Sequence, residues 1–424
     1  MKTIVNPSVY RERRNALVEA IRQEYPDKGG TVCLFAGFEQ EHFPFIQESN
    51  FFYYTGIIEP GVVLLIDLDG KTTLYLPQFA QNRAVWVTTQ PEYKQLGIDK
   101  VEFLGNAMHG YTAKPFFEQA EYAKLLQHFA ALVQERKVLF TLAPKRAMHY
   151  SQQLFLLERA GSFVPGLQDS IHDISRLTAR MRQVKSKDEL GLLYQAIDVT
   201  CMAHEAAVQT IAPDVSEAEV HAAIEYVFIA AQTKPAFTTI VGGGKNGTVL
   251  HYTDNKDLLR TGDLVVVDIG AMYEHYCGDL TRTYPVGGKF SARQKEIYNL
   301  VLATQKYIES IAKPGMWLSN KEKPDQSLHH LAQKFLNEKG GYDKYFMHGL
   351  GHFLGLDVHD VGDYNEPLKS GNVITIEPGI YIAEENIGVR IEDNYWIVDD
   401  GIVCLSEQLP KEVDEIEELM AKKR

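Results

Sequence analysis

The chain has 424 residues, of which 45% are hydrophobic and 23% charged, and its formal net charge is −13. These values are typical of a soluble globular protein, and the length predicts two domains rather than a single core. The negative charge argues against non-specific binding to nucleic acid, which depends on positively charged side chains.

The N-terminal stretch, MKTIVNPSVYRERRNAL, lacks the apolar core of a secretion signal. No later window approaches the roughly 18 uninterrupted apolar residues of a membrane-spanning helix. The four cysteines are scattered, without a CxxC or CxxH pair, which argues against a disulfide framework and against a thiolate zinc site. We therefore expect a protein of the reducing cytoplasm that does not associate with a membrane.

Residues 1–172 are predicted to form a smaller, mixed α/β domain without a catalytic pattern of its own. Periodic stretches around 115–135 and 151–161 indicate helices. Strands are predicted, with a turn between the last two, for FFYYTG (51–56), GVVLLIDLDG (61–70) and KTTLYLP (71–77). The aromatic cluster at 51–54 is typical of a buried core.

A second domain is predicted over residues 176–410, followed by a charged C-terminal tail at 411–424. The domain opens with a basic segment that continues as an amphipathic helix to about residue 210. Further helices are predicted to begin at the capping boxes Ser216–Glu219 and Ser291–Gln294 and near Asp325, the last ending at Gly340-Gly341.

Two strand-like segments of this domain repeat one pattern. GDLVVVDIG and GNVITIEPG begin at positions 262 and 371, an offset of 109 residues, and each ends an apolar run with an acid, Asp268 or Glu377. After each acid, a turn leads to a second strand with another acid, Asp279 or Glu392. Because a repeat indicates one supersecondary unit used twice, we expect two pseudo-symmetric hairpins that bring four carboxylates to one place.

Four carboxylates at one place resist ionisation because like charges raise one another's pKa. Divalent cations remove that penalty; oxygen ligands suit Mn²⁺ or Mg²⁺, and a histidine shifts the preference toward transition metals. Any single acid would be interpreted as a hydrogen-bonded carboxylate at a strand end. Four together predict a two-metal site, in which some carboxylates bridge the ions.

The segment HGLGHFLGLDVHD, residues 348–360, contains three histidines. His348 and His352 have the separation of a helical zinc motif, but Gly349 and Gly351 lie between them and disfavour a helix. The segment is therefore predicted to be an irregular loop or short strand, and the spacing alone does not decide which histidine binds metal.

These motifs, in this order, resemble the signatures of the M24 metallopeptidases, and most closely their proline-specific branch, the Xaa-Pro aminopeptidases and prolidases. The residues that carry the resemblance are LHYTDN (250–255), VVVDIGAMYEHYCGDLTRTYPVGGKF (265–290), HGLGHFLGLDVHDVG (348–362), ITIEPGIYI (374–382) and GVRIEDN (388–394). FFYYTGIIEPGVVLLID is similar to the amino-terminal domain of those enzymes. The resemblance implies an α/β pita-bread fold with pseudo-twofold symmetry for the second domain, and an aminopeptidase-P/creatinase-like fold for the first.

The resemblance also implies a set of site residues. Two divalent metal ions, Mn²⁺ first and Co²⁺ or Zn²⁺ as alternatives, would be held by Asp268, Asp279, His352, Glu377 and Glu392. Catalytic roles are implied for Glu377 as proton acceptor, His251 as proton shuttle and His359 at the scissile carbonyl. Positions beside the substrate are implied for His348, Tyr381 and Arg390, the last also able to orient the carboxylates.

Two features depart from the family pattern. Phe237 stands where the family often has a tyrosine, and it removes a hydrogen bond to a metal-binding aspartate. The segment 361–372 lacks the arginine-bearing insertion with which many prolidases clamp a dipeptide, and Lys369 is its only cation. We therefore predict an Xaa-Pro aminopeptidase that acts on longer peptides with proline in second position, with an Xaa-Pro dipeptidase as the alternative.

Three other classes of protein fit the sequence less well. A creatinase-like hydrolase and a non-catalytic M24-like binding protein both lack metal ligands that this chain retains. The extra N-terminal domain disfavours a methionine aminopeptidase. The family resemblance implies a homodimer or homotetramer.

Overall fold

The computed structural model describes residues 6–39, 42–79, 83–87, 96–108, 118–144 and 150–422. The chain forms two compact units, Met1–Met181 and Arg182–Arg424. The division falls inside a helix that begins at Ser175, a few residues after the boundary predicted between 172 and 176. None of the helices among the described residues is long and apolar enough to cross a membrane.

The first unit contains a six-stranded mixed sheet with helices. Its elements are α1 (Ser8–Glu24), β1 (Gly30–Phe35), α2 (Ser49–Thr55), β2 (Val63–Asp67), β3 (Thr72–Leu76), α3 (Arg83–Trp86), β4 (Lys100–Phe103), α4 (Ala123–Gln134), β5 (Val138–Thr141), α5 (Ser151–Phe163), β6 (Ile171–Asp173) and α6 (Ser175–Gln183). The strand order is β4-β3-β2-β1-β5-β6, and β1, β2 and β3 are antiparallel neighbours. The predicted hairpin of β2 and β3 is confirmed, as are helices within the periodic stretches; residues 115–117 lie outside the described residues.

The FFYYTG segment is a helix, α2, so the strand predicted there is wrong. The Glu48 carboxylate accepts a hydrogen bond from the backbone N–H of Phe51 at 2.7 Å, which caps the helix. Gly56 follows with a φ of 65°, a left-handed conformation that ends it. The aromatic composition favours a strand, but the residues on either side of the segment decide its conformation. Its aromatic side chains are buried, as expected.

The second unit carries the repeat. Its elements are α7 (Lys187–Thr210), α8 (Glu217–Ala230), β7 (Lys234–Pro235), β8 (Ile240–Gly243), β9 (Leu264–Ile269), β10 (Ala271–Tyr273), β11 (Tyr276–Cys277), β12 (Leu280–Pro285), α9 (Ala292–Ile311), α10 (Leu328–Glu338), β13 (Val373–Ile376), β14 (Gly379–Ile382), β15 (Ile387–Arg390), β16 (Asp393–Ile397), β17 (Ile402–Cys404) and α11 (Val413–Ala421). Its sheets have the orders β12-β9-β8, β13-β16-β17, β11-β10-β7 and β14-β15.

The helix signals of this unit are largely confirmed. The capping boxes at Ser216 and Ser291 open α8 and α9. A third box, formed by Ser186 and Glu189, opens α7. The amphipathic helix predicted to run to about residue 210 is α7, and the basic segment before it contains a separate helix, α6. Helix α10 begins at Leu328, a few residues after the predicted start.

The two copies of the repeat form equivalent strand pairs. Strand β9 pairs antiparallel with β12, and β13 pairs antiparallel with β16. The pairs meet where the backbone N–H of Glu392 donates to the carbonyl of Thr281 at 3.0 Å. The predicted pseudo-symmetric hairpins are thus present, and their junction lies at the predicted acids.

Helix α11 packs one face into the core, so the prediction of a charged tail from residue 411 onward is wrong for the described residues. Helix α11 buries Val413, Ile416 and Met420 in the main hydrophobic cluster of the second unit. Just before it, the ammonium group of Lys411 donates to Asp393 at 3.0 Å. Apolar residues three and four positions apart form one helical face, and the many charges between them hide it in the composition.

Candidate active site and metal centre

A cavity of about 770 Å³ in the second unit collects the predicted site residues. Its apolar wall includes Phe237, Ile240, Leu250 and Val358. Of the predicted residues, those that line it are His251, Asp268, Asp279, His348, His352, His359, Glu377, Arg390 and Glu392. Tyr381 is buried behind them and contacts the site through hydrogen bonds.

The four acids reach the cavity from equivalent positions of the repeat. Asp268 lies in β9 and Glu377 directly follows β13, while Asp279 and Glu392 directly precede β12 and β16. Asp279, His352 and Glu392 each offer one atom that could bind a metal ion, and these three atoms lie within 4.8 Å of one another. The hairpin geometry therefore brings together residues that are more than a hundred positions apart.

Burial opposes ionisation of three of these acids, Asp279, Glu377 and Glu392. It raises the pKa of Glu377 to about 7 and that of Asp279 to about 6, and the neighbouring carboxylates add to the effect. Burial also raises the pKa of Glu392 well above its ordinary value, with Asp279 and Glu377 contributing. Such a cluster is costly unless cations compensate its charge.

In two of the acids, one carboxylate oxygen accepts a hydrogen bond and the other accepts none from the described residues. Oδ2 of Asp268 accepts from Arg390 at 2.5 Å, and Oε2 of Glu392 accepts from Thr281 at 2.7 Å. The other oxygens, Oδ1 of Asp268 and Oε1 of Glu392, are buried without a hydrogen-bond partner in the part of the chain that the structure describes. A carboxylate anchored through one oxygen has the other available to a metal, so these donors fit divalent cations.

His352 is the histidine of HGLGH that lies closer to the acids, although Nδ1 of His348 is also 3.7 Å from Glu377. The segment around it is irregular, as predicted, with one bridge between Phe353 and Ile374. Gly351 permits this path, because a Cβ there would lie 2.0 Å from the carbonyl oxygen of Thr375. The glycine thus allows the backbone to approach the strand that leads to Glu377.

The ring of His352 is oriented for a metal. Its Nδ1 lies 3.0 Å from the carbonyl of Phe353, and its Nε2 lies 3.3 Å from Asp279 and 3.4 Å from Glu377. Although burial favours the neutral ring, hydrogen bonding to Asp279 and the nearby negative charge raise the pKa of His352 to about 9. Without a metal, a proton on Nε2 balances the acids; a cation would replace it there.

Arg390 links the acids to Tyr381. Besides Asp268, its guanidinium donates to the hydroxyl of Thr281 at 3.1 Å and to the hydroxyl of Tyr381 at 2.9 Å. The hydroxyl of Tyr381 is also 2.9 Å from Nε2 of His348. Arg390 and Tyr381 are therefore fixed in place by their neighbours on several sides.

The remaining two histidines are more exposed. The ring of His359 stacks on that of His352, with centroids 4.1 Å apart and an interplanar angle of 28°. Partial burial of the ring, and then the charge of His352, lowers the pKa of His359 to about 4, so this ring is neutral near pH 7. His251 is an exposed residue at the cavity wall.

Three supporting residues were missed by the sequence analysis. The hydroxyl of Thr375 accepts from the backbone N–H of His352 and donates to Glu377 at 3.2 Å. The side chain of Asn394 bonds both the N–H and the carbonyl of Asp279. Together with Thr281, these residues lie two positions from a predicted ligand. That spacing is a usable signal, since such residues share one face of a strand.

Comparison with known proteins gives the same assignment for both units. Residues 191–399 match metallopeptidase family M24, and residues 10–108 match the aminopeptidase P N-terminal domain. The chain is 34% identical to an Xaa-Pro aminopeptidase of Haemophilus influenzae, over 89% of each protein. It is 41% identical to an Xaa-Pro dipeptidase of Pyrococcus furiosus, but over 52% of this chain and 62% of that protein.

A solved structure extends the likeness to the whole fold. A variant of Escherichia coli aminopeptidase P in complex with substrate matches with a TM-score of 0.81 and 29% identity, over 99% of each chain. The expected architecture, an M24 domain preceded by an aminopeptidase-P-type domain, is confirmed. Because the aminopeptidase likeness spans nearly the whole chain and the dipeptidase likeness about half, the chain belongs to metallopeptidase family M24, in its Xaa-Pro aminopeptidase branch.

Proposed function

We propose that this protein is a metal-dependent aminopeptidase that hydrolyses the bond between an N-terminal residue and a following proline. The observation that carries the proposal is the buried cluster of four carboxylates and His352, in which Asp268 and Glu392 each keep one unbonded oxygen. Peptides with proline in second position are the substrates implied by the family.

Two divalent cations are proposed to be held by Asp268, Asp279, His352, Glu377 and Glu392. When bound, such a pair lowers the pKa of water from about 15.7 toward neutrality and polarises the substrate carbonyl. A donor set of carboxylates and one imidazole suits Mn²⁺, with Co²⁺ or Zn²⁺ as alternatives, and the supply of metal decides among them.

The protein's own groups are proposed to move the protons. Glu377, a carboxylate at the cavity wall, accepts the proton of the attacking water as a general base. His359 donates a hydrogen bond to the oxygen that becomes negative on the scissile carbonyl. Glu377 or His251 then returns a proton to the prolyl nitrogen, which leaves poorly unless protonated because the bond is a tertiary amide.

The apolar wall is proposed to hold the proline ring. Proline has a fixed φ and no N–H, so recognition must depend on the shape of the ring rather than on backbone pairing. Phe237, Leu250 and Val358 line the cavity. Burying an apolar ring against them is favourable, and so a pocket of this kind selects proline.

A preference for peptides longer than two residues is proposed from the short segment 361–372. Lys369, its only cation, lies 2.6 Å from Glu366. A lysine already paired with a carboxylate is poorly suited to clamp the free carboxylate of a dipeptide. An Xaa-Pro dipeptidase remains the alternative function.

The test compares an Xaa-Pro-Yaa tripeptide with an Xaa-Pro dipeptide under added Mn²⁺, with Glu377→Gln as control. Release of the first residue from the tripeptide, lost in the variant, is the expected result. Cleavage of the dipeptide alone would make the protein a dipeptidase. If the metal-loaded protein cut neither substrate, the peptidase proposal would fail and a binding role would take its place.

We also propose that the protein is cytoplasmic and forms a homo-oligomer. Three of the four cysteines are buried and all are unpaired, which supports a reducing cytoplasm. The net charge of −13 supports partners other than nucleic acid. A homodimer or homotetramer stays a prediction, which light scattering of the purified protein would test.

A further inference from the structure

We propose that Asp360, clamped by Arg182 and Lys185, is a positioning residue that holds His359 over the metal centre. Oδ2 of Asp360 accepts from the ammonium group of Lys185 at 2.9 Å, and its Oδ1 accepts from Arg182. All three side chains are 1% exposed. Arg182 also bonds Asp357, at 2.8 Å. The inference rests on the proposed function insofar as His359 contacts substrate.

The clamp lies at the base of the loop that joins the two stacked histidines. Residues 353–360 form a closed loop, because the backbone N–H of Asp360 donates to the carbonyl of Phe353 at 2.8 Å. Phe353 directly follows His352, and Asp360 directly follows His359. A displacement of Asp360 would therefore move His359 relative to His352, on whose ring it stacks.

The side chains of Asp360 and Lys185 pack against the loop at Gly355. A Cβ on Gly355 would lie 2.2 Å from Oδ2 of Asp360 and 2.9 Å from Cε of Lys185. The carbonyl of Gly355 accepts from the backbone N–H of Cys277 at 2.8 Å. Since Cys277 lies two residues before Asp279, the loop is tied both to the buried charges and to the strand that leads to a proposed ligand.

Charge explains why this anchor is firm. Burial alone would favour the neutral acid, but the charges of Arg182 and Lys185 lower the pKa of Asp360, so the carboxylate is ionised. Removing one member of a buried ion cluster leaves the others uncompensated in a medium of low dielectric constant. The loop can leave this position only by separating these charges. His359 itself is exposed. Besides its stacking on His352, its position is set by the buried side chain of the adjacent Asp360.

The test is a double-mutant cycle between Asp360→Asn and His359→Ala, with kcat and KM measured on an Xaa-Pro-Yaa tripeptide in Mn²⁺. Asp360→Asn should lower kcat by about 10- to 100-fold with little change in KM, the effect expected when a group is misplaced by about 1 Å. In the His359→Ala background, the same change should lower kcat less than about twofold. Equal losses in both backgrounds would overturn the proposal.

Glu417→Gln is the matched control. Glu417, in α11, is likewise a buried carboxylate held by two cations, here Lys289 and Lys295, whose side chains are exposed. The control should lower the melting temperature but leave kcat unchanged. If it lowered kcat as much as Asp360→Asn, general loss of structure would explain both. Should Asp360→Asn fail to fold, Lys185→Gln, which leaves Arg182 in place, is used in the same cycle.

Hydrogen exchange gives a readout that does not depend on turnover. In Asp360→Asn, amides of residues 353–360 should exchange at least about tenfold faster, whereas Glu417→Gln should leave them unchanged. Unchanged exchange in Asp360→Asn would overturn the anchor. Faster exchange in a protein that cleaves no Xaa-Pro peptide would support the anchor while the proposed function failed, so the two outcomes are separable.

Discussion

The phenolic oxygen of Tyr381 lies 2.9 Å from Nε2 of His348 and 2.9 Å from Nη1 of Arg390. A guanidinium only donates, so Tyr381 accepts from Arg390 and donates its own proton to His348. Nδ1 of His348 is 2.8 Å from the carbonyl of Gly349, which requires the hydrogen on that nitrogen. Burial, and then the charge of Arg390, lowers the pKa of His348 to about 3, so the ring is a neutral acceptor. A continuous chain of hydrogen bonds thus joins Asp268 to the HGLGH loop.

Tyr381→Phe tests this chain. The variant keeps the aromatic ring but leaves Nη1 of Arg390 and Nε2 of His348 without this partner. Each buried group left unsatisfied costs about 1–3 kcal/mol, so we expect a lower melting temperature and a fall in kcat of about tenfold or more. Tyr298→Phe is the matched control, because Tyr298 is also buried and its hydroxyl bonds the carbonyl of Lys411 at 2.9 Å. A variant at 381 with the kcat of the Tyr298→Phe protein would contradict the expectation.

Metal binding should release protons and tighten as the pH rises. The pKa values of Asp279, Glu377 and His352 are raised to about 6, 7 and 9 in the absence of metal. A cation must displace any protons held there. Calorimetric titration of the metal-free protein with Mn²⁺ at pH 7, in two buffers of different ionisation enthalpy, measures the release. Affinity that is the same at pH 6 and pH 8, with no proton release, would show that these groups have already lost their protons.

The metal-free protein should lose stability as the pH rises from about 6.5 to about 9. His352 has a pKa of about 9 in the fold against 6.5 ordinarily, so the fold binds its proton more strongly and that stabilisation is lost over this window. Glu377, raised from 4.5 to about 7, acts in the same direction at the lower end. The lowered pKa values of His348 and His359 act in the opposite direction, but below about 6.5.

Thermal unfolding across this range, with chelator and with Mn²⁺, measures the effect. The melting temperature of the chelated protein should fall with pH, and the metal-loaded protein should show less of the decrease. A chelated protein whose stability rose between these pH values would reverse the assigned sign of the His352 shift.

Ile416→Ala tests whether α11 belongs to the core. Ile416 is fully buried in the main cluster, and such a truncation costs about 2–5 kcal/mol. We expect a clear loss of unfolding free energy in denaturant titrations and an unchanged kcat per folded molecule. Glu415→Ala, one residue earlier, alters the helix without removing an apolar core side chain. An Ile416→Ala protein as stable as wild type would return residues 411–422 to the role of a tail.

The plan of the second unit can be predicted from its residue pattern alone. The recurrence of an acid after an apolar strand, at 268 and again at 377, encodes two equivalent hairpins, because strand patterning and its offset survive in one dimension. Capping residues such as Ser216 and Ser291 mark helix starts because their chemistry is local. The two glycines around residue 350 exclude a helix for the same reason. The repeat alone therefore predicts the four acids as ligand candidates, whereas His352 is implied by the family resemblance.

The contacts that hold these residues in place are visible only in the folded chain. FFYYTG is a helix because Glu48 caps its start and Gly56 ends it. The apolar face of α11 is recognisable only because it packs against the core of the second unit. The free oxygens of Asp268 and Glu392 depend on Arg390 and Thr281. Lys185 and Asp360 are 175 residues apart. Local periodicity carries no information about which distant charges share one buried volume, because that pairing is fixed by packing and desolvation after the chain has folded.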